Sequence, residues 1–424
     1  MSLRFNSNGW LSALFASAVV LVCGTAVYGG FIDSALEAYP ALENAPLVLF
    51  GLGLALAVFF GYSRFFCFGI LLCGFVVSMV CFTGNGTEGG RAEAARILFS
   101  VYVPCFTAVV MSLPERPVLG RAGLFRTGVV VSGVVAAVVL ARTGAFSREI
   151  GNASWFMIKP VSGVLGVPRL SICFFLPAVV YLLFLKGALE NSFPRAMAGT
   201  ALLCSLGAMN WGSGARGQAG ATTVLTAYMS AGALMLPVMV LHSAWRHANI
   251  DELTGLAGRR AMENQLNSLG KSWTLAVIDI DHFKKINDGY GHHTGDQVLR
   301  FIASEIENTP GCRAYRYGGE EFVVVFGKRS IDEVVPYLEG LRKSIARKRF
   351  GLRKRREPKR VSRRGAQKRG KGSGKVIRVT VSIGVTDGTR HNTPADAIKA
   401  ADKSMYRAKR HGRNRLCRSQ AVTR

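Results

Sequence analysis

The sequence predicts two fold classes in one chain: an all-α polytopic membrane domain over residues 1–245 and a cytoplasmic α/β domain over residues 246–424. Three observations carry this. Residues 1–245 hold long apolar runs with isolated charges. Residues 246–424 hold most of the ionisable groups, and there short β-branched runs alternate with segments of helical spacing. The chain as a whole is 49% hydrophobic and 19% charged, whereas soluble domains carry about 25% charged residues. A uniform soluble enzyme, a coiled coil, a disordered chain and a collagen all fit that composition poorly.

A spanning helix needs about 20 mostly apolar residues, because each rises about 1.5 Å through a core about 30 Å thick. Eight segments qualify: 10–30, 46–62, 66–83, 95–113, 125–142, 168–187, 195–212 and 221–244. The first is longer than a signal-peptide core and further spans follow, so it is read as retained. The loop at 31–45 carries Asp33, Glu37 and Glu43 without Lys or Arg and is placed outside. The loop at 114–126 carries Arg116, Arg121 and Arg126 and is placed inside. Eight spans then put residue 245 onward in the cytoplasm, although Arg148, Lys159 and Arg169 in the 143–169 loop run against the rule. The nine cysteines form no CxxC pair, and those in apolar spans behave as small hydrophobes. No carboxylate pair marks a transport path at the span centres, so this half reads as an anchor or a sensor.

In the second half, residues 243–250 extend the last span by about two turns without a heptad repeat. Thr274 to Asp279 reads as a buried strand, and 283–290 and 297–306 as helices. Arg313–Tyr317 and Phe322–Phe326 flank Gly318-Gly-Glu-Glu321 as a β-hairpin with glycines at its turn. Residues 377–385 alternate as one further strand, and 395–410 form a last helix.

Three features carry chemistry. Asp279, at a strand tip, offers oxygen to a hard cation or simply caps the next helix. Gly318 and Gly319 let a ligand approach the backbone, and Glu320 and Glu321 add adjacent carboxylates. Successive strand residues face opposite sides, so one of the two is expected to share a site with Asp279; a solvated acidic hairpin is the alternative. Lys409 and Arg413, four apart, fall on one face of the last helix as a phosphate clamp or as a solvated basic face. Together the three describe a metal–triphosphate site. Two phosphate-loop matches fail: Gly365-Ala-Gln-Lys-Arg-Gly-Lys371 is followed by Gly372 with no strand before it, and Gly270-Lys-Ser272 has Gln265 where the first glycine belongs.

Five motifs appear in order: Asp251-Glu-Leu-Thr-Gly-Leu256, Asp279-Ile-Asp-His-Phe-Lys-Lys-Ile-Asn-Asp288, Gly291-His-His-Thr-Gly-Asp296, Gly318-Gly-Glu-Glu-Phe322, and Ala401-Asp-Lys-Ser-Met-Tyr406 with Ala408-Lys409 and Gly412-Arg-Asn414. On these, residues 250–417 resemble the GGDEF family, the diguanylate cyclases. The resemblance implies a sheet flanked by helices, akin to nucleotidyl cyclases and polymerase palms, at a bacterial inner membrane. It implies condensation of two GTP into cyclic di-GMP with release of two pyrophosphates. Each domain would hold one GTP, so a homodimer is required. By the same resemblance, Asp279, the backbone carbonyl of Ile280 and Glu320 match the ligands of Mg²⁺, two ions per site, with Mn²⁺ as a substitute. Glu320 also matches the base for the 3′-hydroxyl, and Glu321 is a further candidate. Asn287 and Asp296 match the guanine readers, with His292 beside them. The amides of Phe283 and Lys284 and the side chains of Lys409 and Arg413 match the phosphate contacts, next to Gly318 and Gly319.

Three departures from the family pattern stand out. Gly258 replaces the usual Asn. Thr309-Pro-Gly-Cys312 stands where many members carry an inhibitory RxxD. Residues 347–375 are an insertion with 15 Lys and Arg against the single Glu357, so this run supplies +14 of the net +27. The insertion reads as a solvated disordered loop, ahead of anionic-lipid contact at about 1 kcal/mol per basic residue near the surface, with nucleic acid last. The alternative to a cyclase is a catalytically silent GTP-binding domain acting as a membrane signalling module, with a transporter bearing a regulatory tail as a third reading.

Overall fold

The computed structural model describes residues 44–83, 89–143, 160–162, 165–180, 192–211, 218–269, 272–351 and 376–419. The chain divides into two units, Met1–Ala244 and Trp245–Arg424.

The helices of the first part are α1 (Ala45–Phe59), α2 (Ser63–Thr83), α3 (Gly89–Ser112), α4 (Arg121–Thr143), α5 (Arg169–Val180), α6 (Ser192–Trp211) and α7 (Gln218–Asn249). A short antiparallel pair, β1 (Pro160–Ser162) and β2 (Leu165–Pro168), precedes α5. These helices fall on seven of the eight expected spans; the segment 10–30 lies outside the described residues. Among the described residues, α4 and the Thr226–Asn249 part of α7 are long and apolar enough to cross a membrane. The other expected spans are not established by length and composition among the described residues. The 15 residues of α1 rise only about 22 Å, short of an apolar core about 30 Å thick.

Aromatic packing holds these helices together: Phe50, Phe65, Phe68, Phe75, Phe99 and Phe175 are fully buried. At the α3–α4 turn the Glu115 carboxylate accepts from the Arg64 amide at 2.9 Å and from Arg64 Nε at 2.6 Å. The opposite condition holds on the outer face of α4, where Leu124, Phe125, Val131, Val135 and Val139 are all exposed.

The second unit is built on one six-stranded sheet. Its strands are β3 (Ala257–Gly258), β4 (Trp273–Ile280), β5 (Arg313–Gly318), β6 (Glu321–Gly327), β9 (Val381–Asp387) and β10 (Leu416–Arg418), in the order β10-β9-β4-β6-β5-β3. All eight residues of β4 are buried because it is central and antiparallel to both neighbours. Alternation splits them. Ala276, Ile278 and Ile280 face a core shared with α9 (Phe283–Tyr290), α10 (His292–Glu307) and α11 (Ile331–Arg347). Trp273, Leu275 and Val277 face α8 (Arg259–Asn267) and α12 (Pro394–Arg410). Helices thus cover both faces, as an α/β domain requires.

One expectation is corrected here. Residues 377–385 are two strands, not one: β8 (Val376–Ile377) pairs with β7 (Phe350–Gly351), and β9 starts at Val381. The β4–β9 ladder ends with Ile280 opposite Val381, and one further bond, from the Asp281 amide to the Thr380 carbonyl at 2.9 Å, follows it. Arg347 is the last residue of α11, and β7 and β8 bracket residues 352–375, which lie outside the described residues.

Candidate active site

The parity that buries Trp273, Leu275 and Val277 against α12 puts Asp279 on that same face, at the strand's end. Position 409, in the last turn of α12, meets it: Lys409 Nζ lies 2.7 Å from Asp279 Oδ2. The other oxygen, Asp279 Oδ1, is buried with no hydrogen-bond partner. Close helix–strand approach makes this contact available, since a Cβ at Gly384 would overlap the backbone of Ala401 and Met405.

Directly across the ladder from Asp279 stands Glu321. Of the two glutamates, one of which was expected to share the Asp279 site, Glu321 holds that ladder position, and strand alternation does not decide the place of Glu320. Glu320 belongs to the turn, where Gly319 adopts φ +47°, and the strand starts at Glu321. Both carboxylates feel Asp279. Burial pushes the Glu320 carboxyl up, the negative charges of Asp279 and Glu321 push it further, and Lys409 offsets part of this. Glu321 is raised by burial and by Asp279 and Asp402. Asp279 is raised by burial first, opposed by its bond to Lys409, with Asp281 and Asp402 adding to the rise. Asp402, exposed on α12, adds to the negative charge felt by Asp279 and Glu321. It lies seven residues before Lys409, two turns along the same helix face.

Asp281 and His282 alone separate β4 from α9, so the α9 amino terminus adjoins the carboxylates by chain connection. His282 has φ +58° and supplies no side-chain cap. The amides of Phe283 and Lys284 therefore open the helix without a capping side chain, the arrangement that suits an anion. Asn287 stands one turn along α9. Its Oδ1 is buried and unpartnered, seated where a Cβ on Gly295 would overlap it, and Asp296 follows Gly295. His292 is exposed at the start of α10, and Gly318 is likewise exposed at the hairpin. Arg413 departs from expectation. The helix stops at Arg410 and Arg413 has φ +63°, so Lys409 and Arg413 are not on one helical face.

The buried, unpartnered Asp279 Oδ1 and the mutually repelling carboxylates fit a divalent cation. Among the described residues no three His, Cys, Asp or Glu side chains gather for a metal ion. An ion such as Mg²⁺ is commonly held by one or two carboxylates plus substrate phosphates and water.

Asp251 anchors the hairpin from outside the cluster. It accepts from the Thr254 amide at 2.8 Å and hydroxyl at 2.6 Å, and from Arg316 at 2.9 Å through both oxygens. Arg316 Nη2 in turn donates to the Gly319 carbonyl at 2.7 Å. Burial acts to raise the Asp251 carboxyl, but the Thr254 and Arg316 bonds outweigh it and hold the group below its ordinary range. Asp251→Asn should therefore destabilise the domain by roughly 2 kcal/mol at neutral pH. For a depressed carboxylate this contribution is present above a pH of about 4 and lost as pH falls through the folded value. Melting curves of the two proteins should converge in acid; a gap that persists would refute the assignment.

The family model described as diguanylate cyclase, GGDEF domain, matches residues 248–364 and 355–415, two pieces that meet in the insertion. Diguanylate cyclase VdcA of Vibrio cholerae is 35% identical over 176 residues, covering 40% of this chain and 47% of its own length. Response regulator PleD of Caulobacter vibrioides is 38% identical over 176 residues, covering 39% and 34%. The chain thus spans less than half the length of these relatives. A solved structure of the coiled coil and GGDEF domain of DgcB from Caulobacter crescentus, in complex with c-di-GMP, is 31% identical, covering 42% of this chain and 89% of that one with a TM-score of 0.36. Through residues 248–415, this chain belongs to the GGDEF domain family.

Proposed function

We propose that this chain is a membrane-anchored diguanylate cyclase, joining two GTP into cyclic di-GMP and releasing two pyrophosphates. The observation that carries the reading is the buried Asp279 with one free oxygen, flanked by Glu320, Glu321 and Lys409 at the end of the central strand. Asp279, the Ile280 carbonyl and Glu320 would hold Mg²⁺ or Mn²⁺. When bound, the cations supply charge neutralisation at the phosphates and at the attacking oxygen.

The remaining work falls to the chain itself. Glu320 accepts the proton of the 3′-hydroxyl, with Glu321 beside it. Lys409 exchanges its bond with Asp279 for the phosphates, joined by Arg413 and the amides of Phe283 and Lys284. Asn287, Asp296 and His292 receive the guanine. Each unit holds one GTP, so two copies must face each other for the two 3′-oxygens to attack.

The two long apolar helices and the exposed apolar face of α4 support the membrane reading. Arg116 in the α3–α4 connection, with Arg121 and Arg126 in the first turns of α4, favours a cytoplasmic placement of that end of α4 and of residues 246–424, at a bacterial inner membrane. Incubating the full-length chain with GTP and Mg²⁺ should yield cyclic di-GMP. GTP bound without product would instead identify a silent signalling module.

Product feedback through the signature's upstream segment should be absent. Thr309 is buried with its amide donating to the Ile306 carbonyl, and the Cys312 thiol donates to the Thr309 carbonyl at 3.3 Å. Neither side chain offers the bidentate fork of an arginine or a carboxylate. Initial rates should be unchanged by micromolar cyclic di-GMP; non-competitive inhibition that maps to residues 309–316 would contradict this.

A further inference from the structure

We propose that Asp281 and Arg342 are positioning residues that clamp the turn at Arg413–Asn414 and so place the Arg413 guanidinium for the phosphates of a nucleoside triphosphate; the proposal rests on the GTP reading above. Arg413 and Asn414 are consecutive non-glycine residues with φ of +63° and +43°. That region is sparsely populated by residues carrying a Cβ, and such conformations persist where surrounding bonds dictate them.

Here the bonds come from separate elements. The Asn414 amide donates to Asp281 Oδ2 at 3.0 Å, and Arg342 Nη1 donates to the Asn414 carbonyl at 2.9 Å and to its Oδ1 at 2.8 Å. The Arg413 amide donates to the Ala408 carbonyl at 3.0 Å. Both tethers are themselves fixed. Asp281 is buried and accepts from the Thr380 and Ser382 hydroxyls at 2.7 Å each. Arg342 spends Nε and Nη2 on Glu339 Oε2, at 3.0 and 2.7 Å.

The backbone of the turn is thus fully committed, whereas the Arg413 guanidinium, half-exposed, has no recorded hydrogen bond or ion pair among the described residues. Arg342 lies on α11, an element that supplies no group to the carboxylate cluster. Its effect on a nucleotide would therefore pass through the turn. A tether that merely braced the fold would affect all ligands alike, whereas one that aims Arg413 should matter in proportion to the phosphates present.

The test measures affinity of the full-length chain with Mg²⁺ for 3′-deoxy-GTP, which lacks the attacking hydroxyl, and for GMP. Arg342→Ala should weaken 3′-deoxy-GTP about tenfold, the usual scale for a lost charge-assisted hydrogen bond, and shift GMP far less. Arg342→Lys keeps the charge beside Glu339 but not the fork, so it should fold and show an intermediate loss; it carries the test if the Ala variant does not fold. Asp281→Asn should show the same bias toward the triphosphate. Equal losses for both nucleotides, or unchanged 3′-deoxy-GTP affinity in folded variants, would overturn the tether. Wild-type chain that binds 3′-deoxy-GTP no tighter than GMP would overturn the triphosphate reading itself, and the tether with it.

Discussion

Asp279→Ala in the full-length chain is expected to remove cyclic di-GMP synthesis, by on the order of 10²-fold or more, without lowering the melting temperature. The catalytic loss follows from geometry. Asp279 presents a buried oxygen with no partner at the end of β4, and among the described residues no other carboxylate occupies that position. The unchanged stability follows from electrostatics. Burial and the neighbouring carboxylates already disfavour the charged form of Asp279, so its removal relieves repulsion even as it releases Lys409. Glu320→Ala should also lose synthesis, but with a larger residue of activity, because Glu321 lies opposite Asp279 and remains near the ion. Only removal of both glutamates should match Asp279→Ala. Product formation near the wild-type rate by Asp279→Ala, with an unchanged melting curve, would sink the site assignment.

How much of this was legible in the sequence depends on how local the deciding interactions are. The helix at 283–290 has the limits that spacing alone predicts, and β4 differs from its predicted run by one residue at each end. Both are specified by their own residues: a β-branched apolar run, and apolar positions at helical spacing. The α11 helix was equally readable and was missed. Ser330 and Glu333 form a capping box with both reciprocal bonds, and Val334, Leu338, Leu341 and Ile345 are its buried stripe.

The errors at the site are of another kind, because they concern where one element stops. Had the hairpin strand extended through Glu320, alternation would have decided which glutamate faces Asp279; instead Glu320 belongs to the turn and Glu321 opens the strand opposite Asp279. Had α12 run on to Arg413, that side chain would have shared a face with Lys409. Gly412, at φ +108°, and the bonds to Asp281 and Arg342 divert the chain instead. No spacing rule contains such long-range hydrogen bonds. The Lys409–Asp279 pair was hidden for the same reason, since it needs the packing of α12 on the sheet. In the first part, hydropathy located the helices but not their ends, which packing decides.

Nucleobase choice is the second large effect expected. With equal GTP and ATP, the product should be cyclic di-GMP, with discrimination of at least about 10²-fold, since a site built to bond a donor rejects the analogue lacking it. Guanine presents N1–H and an exocyclic 2-amino group. Asn287 Oδ1, buried and unpartnered, and the Asp296 carboxylate are acceptors that those donors would satisfy. Adenine has an unprotonated N1 and no 2-amino group, so it would leave buried acceptors unpaired at a cost of about 1–3 kcal/mol each. Asp296→Ala should therefore erode the preference through the KM for GTP. Gly295→Ala offers a sharper probe, because its Cβ would displace the Asn287 carbonyl while leaving every charge in place. It should weaken guanine nucleotides and leave the response of the carboxylate cluster to Mg²⁺ unchanged. Mixed or adenine dinucleotides as the main wild-type product would show that these two residues do not read the base.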